Sequence, residues 1–243
     1  MRDQTIAPSA TGPRGSPLFA FARQALEPGV RGLLASRLRA RLWSDSSAIG
    51  LRRDLEVPFT APDATFPLAI RQLGAAEAPA IFGDAGPALD ARERWERAAR
   101  LRLWSSGLGR CFAAFAPDGR PCFAQWVFLA ADNAAVGRYF GGAFPTLTAR
   151  EALIEGAYTP TAFRGKGIMP AAMARIALEA GKLGARHVHT FVPVDNMPSL
   201  KGCTRAGFPA WQWREQRCRL GRRRSSFGPL PADFATRFAA MHR

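Results

Sequence analysis

The sequence has few of the features that mark secreted or membrane-spanning proteins. It contains four cysteines among 243 residues, and none of them stands in a C-x-x-C pair. This spacing does not indicate a disulfide framework, and a chain of this length does not need one to fold. The cysteines therefore do not indicate an extracellular protein. Apolar runs are short, and the stretch over 121–131 ends at Asp132, below the roughly 18 residues of a membrane-spanning helix.

The first residues also lack the pattern of a signal peptide. Arg2 and Asp3 are followed by a segment rich in proline, glycine and serine over residues 7–17, where a signal peptide would have an apolar run. We therefore expect a cytoplasmic protein.

Lysine is scarce, and the positive charge is concentrated at the two ends of the chain. The net charge is +15, with three lysines among 34 basic residues. Residues 1–53 carry nine arginines against three acidic residues, residues 201–243 carry ten basic against two acidic residues, and the middle is nearly neutral. Basic ends favour an anionic partner, which leaves a phosphorylated ligand, a peripheral membrane contact or nucleic acid open. Nucleic acid ranks last, because few aromatic residues stand among the arginines for base stacking.

Histidine is rare as well, which limits metal and hydrolase chemistry. His187 and His189 would share one strand face, and two imidazoles there could begin a metal site. No third ligand cluster accompanies them, so we expect structural histidines and no metal. The third histidine, His242, does not complete a Ser-His-Asp or Cys-His hydrolase arrangement.

Hydrophobic periodicity predicts an α/β (α+β) protein with a mixed, mostly antiparallel sheet flanked by helices. The predicted organisation is a flexible tail over 1–17, a helical extension over 18–54, a main domain over 55–224 and a C-terminal tail over 225–243. A helix before residue 43 would be basic and amphipathic, either bound to a membrane or an acidic partner or packed on the domain. The predicted strands cover 49–59, 66–73, 110–116, 121–129, 151–159 and 187–192, and residues 211–224 form one or two further strands. The predicted helices cover 77–83, 89–104, 170–182 and 198–206, and a mobile loop covers 136–149.

The most informative segment runs from a predicted strand through a glycine-rich, basic turn into a helix. Arg164-Gly165-Lys166-Gly167 precedes a helix that begins near Pro170. A helix N-terminus has unpaired N–H groups and a positive dipole, and the glycines let the backbone approach an anion. The segment therefore predicts a pyrophosphate site. It matches neither the Walker loop nor the Rossmann fingerprint.

This turn resembles the [Q/R]-x-x-G-x-[G/A] signature of the GCN5-related N-acetyltransferase (GNAT) superfamily, with Met169 in place of the final small residue. A second motif strengthens the resemblance, because Asp195-Asn196 opens a helix that ends in Gly207-Phe208, with 11 residues from the Asn to the Gly. The resemblance covers about residues 110–213. It implies the GNAT fold, in which the two middle strands splay apart.

The resemblance also implies acetyl-CoA as co-substrate, with no metal. The pantetheine arm would lie between the strands over 151–159 and 187–192, and the turn would hold the diphosphate. Asn196 would cap its helix and touch the arm. The residues implied in binding the co-substrate are Ala157, Tyr158, Thr159, Arg164, Gly165, Lys166, Gly167, Ile168, Met169, Asn196 and Ser199.

Two glutamates are candidates for the general base. Glu151 and Glu155 share one strand face, and a carboxylate in a partly apolar cleft has a raised pKa. Glu155 is nearer the implied splay and is preferred, while both could instead be solvated or ion-paired strand residues. Family members often have a tyrosine acid where this chain has Cys203, which we expect to be a packing residue. Tyr158 or a water is left as the acid.

The function predicted from these motifs is acyl-CoA-dependent N-acyl transfer, with acetyl passing to a primary amine of a small molecule. An amino sugar is the preferred acceptor, because the residues before Asp54 weakly resemble acetyltransferase-like proteins of surface-polysaccharide pathways. The alternative is a non-catalytic GNAT-fold protein that binds acyl-CoA or a partner. Arg222-Arg223-Arg224 is read as a solvated charge run. A monomer and a homodimer both stay open.

Overall fold

A computed structural model describes residues 42–83, 89–234 and 238 of the chain. All of them belong to one compact unit, Arg41–Arg243. The predicted flexible tail and the helical residues before 42 lie outside the described residues. Within the described part, no helix is long and apolar enough to cross a membrane.

The described residues form one eight-stranded sheet with helices on both faces. The strand order is β2-β3-β4-β5-β6-β1-β7-β8, and every pairing is antiparallel except that of β5 with β6. This confirms the predicted mixed, mostly antiparallel α+β architecture. In chain order the elements are β1 (Trp43–Asp54), β2 (Ala69–Gln72), α1 (Ala78–Phe82), α2 (Ala91–Ser105), β3 (Arg110–Phe115), β4 (Pro121–Leu129), α3 (Asn133–Phe140), β5 (Glu151–Tyr158), α4 (Ile168–Lys182), β6 (His187–Pro193), α5 (Met197–Arg205), β7 (Ala210–Arg219) and β8 (Arg222–Gly228).

Strand β1 corrects the predicted boundary of the main domain. The helical extension was predicted to reach residue 54 and a strand to cover 49–59, whereas residues 43–54 form one central strand between β6 and β7. Gly50 lies opposite both Phe191 and Gln212. A Cβ at this position would stand 2.9 Å from Cε1 of Phe191, so glycine is needed where the aromatic ring crosses the strand. Local periodicity predicted a strand from residue 49, and pairing with a distant strand extends it back to Trp43.

Two hydrophobic clusters cover the two faces of the sheet. The back cluster includes the buried sides of α4 and α5, and the front cluster includes residues of α1, α2 and α3. Alanine lines the buried side of α4, and small side chains allow the helix to lie close to the strands. Phe82 and Trp126 stack in the front cluster with ring centroids 5.4 Å apart. The described cysteines, 111, 122, 203 and 218, are all buried, and none of these four is in a disulfide.

Two other predicted segments differ from the structure. The expected mobile loop over 136–149 begins inside α3, which ends at Gly141 in the left-handed conformation at φ +63°. The expected C-terminal tail begins inside β8, because residues 225–228 continue the pairing with β7. Beyond it, Phe234 packs against Trp213 with ring centroids 5.4 Å apart. In both places a tertiary contact orders a segment that has weak local patterning.

Candidate active site

The central feature of the site is the separation of β5 from β6. Their parallel pairing covers three residue pairs and ends with Leu153 opposite His189. Strand β5 continues to Tyr158 and β6 continues to Pro193 without further pairing between them. The two strands therefore splay apart, as the resemblance implied, and beyond Leu153 this edge of β5 has no strand partner among the described residues.

A β-bulge lies in β5 at the splay. Trp126 pairs with Glu155 and Ala124 pairs with Tyr158, so Gly156 and Ala157 together oppose one residue of β4. Gly156 has φ +72°, and a Cβ there would stand 2.9 Å from Cε3 of Trp126. The bulge redirects the backbone at the end of the strand. The glycine is the only sequence signal for this feature, and sequence analysis did not use it.

Arg100 of α2 binds the bulge and was missed by sequence analysis. Its Nε donates to the carbonyl of Gly156 at 2.8 Å and its Nη2 donates to that of Ala157 at 3.1 Å. Burial lowers the pKa of Arg100, and the charge of Glu155 opposes this effect. The guanidinium fixes two carbonyls of the bulge, including that of Ala157, which was predicted to bind pantetheine through its backbone.

Glu155 bridges the two strands where they separate. Its Oε1 accepts the backbone N–H of Phe191 at 2.8 Å and the Thr190 hydroxyl at 3.4 Å. Burial raises the pKa of the carboxyl to about 7, although the Phe191 amide and the charges of Arg214 and Arg100 oppose the rise. A carboxyl that titrates near neutrality in a cleft has the properties of a general base.

Glu151 lies in a different environment, although it shares the strand face of Glu155. It stands where β5 and β6 are still paired, about 13 Å along the strand from Glu155 at 3.3 Å per residue. Its carboxylate accepts the Thr148 N–H at 2.8 Å and lies 3.2 Å from Nε2 of His189. Partial burial raises the pKa of Glu151, but these partners outweigh it and the net shift is downward. Burial lowers the pKa of His189, so at neutral pH the Glu151 carboxylate is hydrogen-bonded to a backbone amide and to a neutral imidazole.

Tyr158 is buried on the α2 side of the sheet. Its hydroxyl donates to Oε1 of Glu93 and accepts Nε of Arg97, each at 2.9 Å. Burial and the Glu93 carboxylate raise the pKa of Tyr158 to about 12. The predicted role of this hydroxyl as general acid does not fit these contacts, because its proton is already shared with Glu93. Glu93 also accepts the backbone N–H of Thr161 at 3.2 Å, so the network fixes the end of β5.

The glycine-rich turn takes the conformation that an anion site needs. Gly165 and Gly167 have φ +77° and +68°, and α4 begins at Ile168. The backbone N–H groups of residues 165–169 have no hydrogen-bond partner among the described residues. Thr65 donates its N–H to the carbonyl of Lys166 at 3.0 Å and supports the turn from the other side. The turn therefore presents a set of free donors at a helix N-terminus.

Two side chains of the turn contact neighbouring helices. Arg164 donates to the carbonyl of Thr159 at 3.0 Å and to Oε2 of Glu96 at 3.0 Å, so it ties the turn to α2. Met169 packs toward α5, since a Cβ on Gly202 would clash with its sulfur. Because the Met169 side chain turns away to α5, its departure from the family signature leaves the backbone amide unobstructed.

Several solved structures of acetyltransferases are similar to this chain in fold. A glucosamine N-acetyltransferase region of a fungal multi-domain GH3 beta-N-acetylglucosaminidase matches with a TM-score of 0.50 and 14% identity, over 84% of this chain and 23% of that one. The chain has the GNAT fold. A GNAT-family acetyltransferase from Colwellia psychrerythraea matches at 0.48 and 15%, over 76% of this chain and 60% of that one. A GCN5-related N-acetyltransferase from Sphaerobacter thermophilus matches at 0.44 and 17%, over 85% and 70%.

The chain therefore spans less than two thirds of the Colwellia protein and about a quarter of the fungal one. No protein-family model matches the sequence, and no curated protein matches it.

The second GNAT motif forms the start of α5. Oδ1 of Asn196 accepts the backbone N–H of Ser199 at 3.3 Å, so the predicted helix cap is confirmed. Cys203 is buried in the same helix, and burial together with the charge of Glu155 raises the pKa of its thiol. The thiol stays protonated at neutral pH and packs in the back cluster, as expected.

The two strand histidines bind separate carboxylates. His187 lies 3.5 Å from Asp54, and His189 pairs with Glu151. Among the residues that the structure describes, no group of three metal-ligating side chains comes together.

Proposed function

We propose that the protein is an acyl-CoA-dependent N-acyltransferase that passes acetyl from acetyl-CoA to a primary amine of a small molecule. One observation carries this proposal: the carboxyl of Glu155, with a pKa of about 7, lies where β5 and β6 separate. A base at this position can take the proton of an amine that enters the cleft.

The donor side of the cleft has the groups that a CoA thioester requires. The free N–H groups of residues 165–169 would bind the diphosphate, with the charge of Lys166 nearby. Backbone groups of Tyr158 and Thr159, with Ala157 at the bulge, would hold the pantetheine arm. Asn196 and Ser199 would border it from α5. Acetyl-CoA supplies the activated thioester when it is bound.

The acceptor side contains the base. Above its pKa of about 7 the Glu155 carboxylate removes a proton from the amine nitrogen, which then attacks directly in a ternary complex. Arg100 fixes the bulge carbonyls, so the adjoining backbone is rigid when the two substrates meet. The Cys203 thiol and the Tyr158 hydroxyl keep their protons, so we assign reprotonation of the leaving thiolate to water.

The preferred acceptor is an amino sugar. The fungal structural match is a glucosamine N-acetyltransferase region, which agrees with the acceptor predicted from the N-terminal sequence. We place the reaction in the cytoplasm.

The second candidate is a GNAT-fold protein that binds acyl-CoA without turnover. It is favoured by the buried hydroxyl of Tyr158, which leaves no side chain in the role of general acid.

Two measurements on the full chain separate these functions. Calorimetric titration with acetyl-CoA, CoA and ATP tests the donor site, and CoA release with a panel of amines tests transfer. Micromolar binding of acetyl-CoA but not ATP, with CoA release, supports the enzyme. Binding of acetyl-CoA without CoA release with any amine supports the second candidate. If acetyl-CoA does not bind, both candidates are wrong.

A further inference from the structure

Two buried polar atoms on β7 have no hydrogen-bond partner among the described residues. They are Oε1 of Gln212 and Nε of Arg214. The two residues are two positions apart on one strand, so their side chains stand on the same face of the sheet. Buried polar groups are nearly always hydrogen-bonded, so one acceptor and one donor here need a partner that the described chain does not supply.

Aromatic rings surround this pair. The guanidinium carbon of Arg214 lies 5.5 Å from the ring centroid of Phe191 and 5.8 Å from that of Phe144. The rings of Phe191 and Phe227 are also in contact, with centroids 5.8 Å apart. The pair therefore stands beside apolar ring faces, and these pack well against the C–H groups of a saturated ring.

The same residues adjoin the proposed base. The backbone N–H of Phe191 binds Glu155, and the ring of Phe191 crosses Gly50 beside Cβ of Gln212. The charge of Arg214 also acts on the Glu155 carboxyl. A molecule that contacts Gln212, Arg214 and the rings would thus lie next to the group that accepts the amine proton.

The chemistry of the two atoms selects a hydroxyl group. A hydroxyl can accept from the Nε–H of Arg214 and donate to Oε1 of Gln212, whereas a carboxylate cannot donate and an ammonium cannot accept. Arg214 already uses Nη1 to bind the carbonyl of Ala143 at 3.0 Å. This contact leaves Nε as the donor of the subsite, and a carboxylate is excluded because Oε1 of Gln212 needs a donor.

We propose that Gln212 and Arg214 form an acceptor subsite that binds hydroxyl groups of a ring amine. The inference rests on the proposed function only in taking the bound amine to be the acyl acceptor. If it is correct, residues of β7 determine the preference for a hydroxylated amine over an amine without hydroxyl groups.

The test compares two amines of similar ring size. Binding of glucosamine and of cyclohexylamine to the CoA-loaded full chain is measured by ligand-observed NMR titration, for the wild type, Gln212→Leu and Gln216→Leu. Gln216 lies on the same strand face and donates to Ser225 at 3.1 Å, so its variant is a matched control. We expect the wild type and Gln216→Leu to bind glucosamine at least about ten-fold more tightly than cyclohexylamine, and Gln212→Leu to lose this preference.

Equal binding of both amines by the wild type would overturn the subsite and would mean that water satisfies the two atoms. This comparison needs no variant, so a misfolded Gln212→Leu protein does not leave the inference untested. An unchanged preference in folded Gln212→Leu would overturn it as well. CoA release is measured separately: Gln212-dependent binding of glucosamine without CoA release would keep the subsite and remove the acyltransferase.

Discussion

The carboxylate of Glu155 and the backbone N–H of Phe191 are joined by a 2.8 Å hydrogen bond across the point where β5 and β6 separate. In a regular parallel sheet a strand carbonyl would accept that N–H. Here a side chain takes its place, and the strands are held apart without an unsatisfied amide. One contact therefore places the candidate base and ends the strand pairing.

Replacement of Glu155 tests its role as base. We expect Glu155→Gln to lower kcat by about 10²–10⁴-fold, because it removes the proton acceptor and keeps the shape of the side chain. Acetyl-CoA binding, measured by calorimetry, should stay within about two-fold. Glu151→Gln is the control and should lose much less activity, since Glu151 lies outside the splay. Equal losses in both variants would contradict the assignment.

The pH dependence of the reaction follows from the raised pKa of Glu155. Because the carboxylate is the active form, kcat/KM should rise with pH through a pKa of about 7 and then level off. The positive charge of Arg100 lowers this pKa, so Arg100→Gln should move the rise to higher pH. A purely structural role of Arg100 would reduce the rate without moving the profile.

Folding stability should depend on the same carboxyl. Its pKa is raised from 4.5 to about 7 in the folded chain, so the folded state holds the proton more tightly than the unfolded state does. This contribution is fully present below pH 4.5 and is lost as the pH rises toward 7. The midpoint temperature of thermal unfolding, measured at each pH, should therefore decrease in the wild type as the pH rises from 5 to 8, relative to that of Glu155→Gln. Parallel curves would show that the carboxyl is not buried as described.

Gly156→Ala tests the bulge. The new methyl group would meet Trp126 at 2.9 Å, and the backbone is at a positive φ. Gly119→Ala is the matched control, because its φ of +80° is similar and nothing lies within 4 Å. Both changes cost about 1 kcal/mol or more from the backbone conformation. Denaturant unfolding should show a larger loss of stability for Gly156→Ala than for Gly119→Ala. Only Gly156→Ala should also lose transfer activity.

Arg164→Ala tests the turn. We expect the Kd of acetyl-CoA to rise about ten-fold, because Arg164 ties the turn to Glu96 and adds positive charge beside the free amides. Arg120→Ala is the control, since Arg120 pairs with Asp118 at an exposed hairpin. If calorimetry shows the same small effect for both, the turn does not bind the diphosphate.

Local sequence patterns predicted most helices and strands of the fold, because periodicity reports which face of each element is buried. The turn after β5 and the cap at Asn196 were predictable for the same reason, since each depends on a few neighbouring residues. Arg100 was not predictable in this way. Its role depends on α2 crossing the bulge 56 residues later in the chain, and nothing in the local pattern distinguishes it from the other arginines of the helix.

The central position of β1 has a consequence for how the chain is built. Ile49 pairs with Val192 on one side and with Trp213 on the other, and both partners are more than 140 residues away in sequence. Contacts of such long range slow folding, since a large loop must close before they form. During synthesis β1 is made before β6 and β7, so it can pair with them only after they have been made.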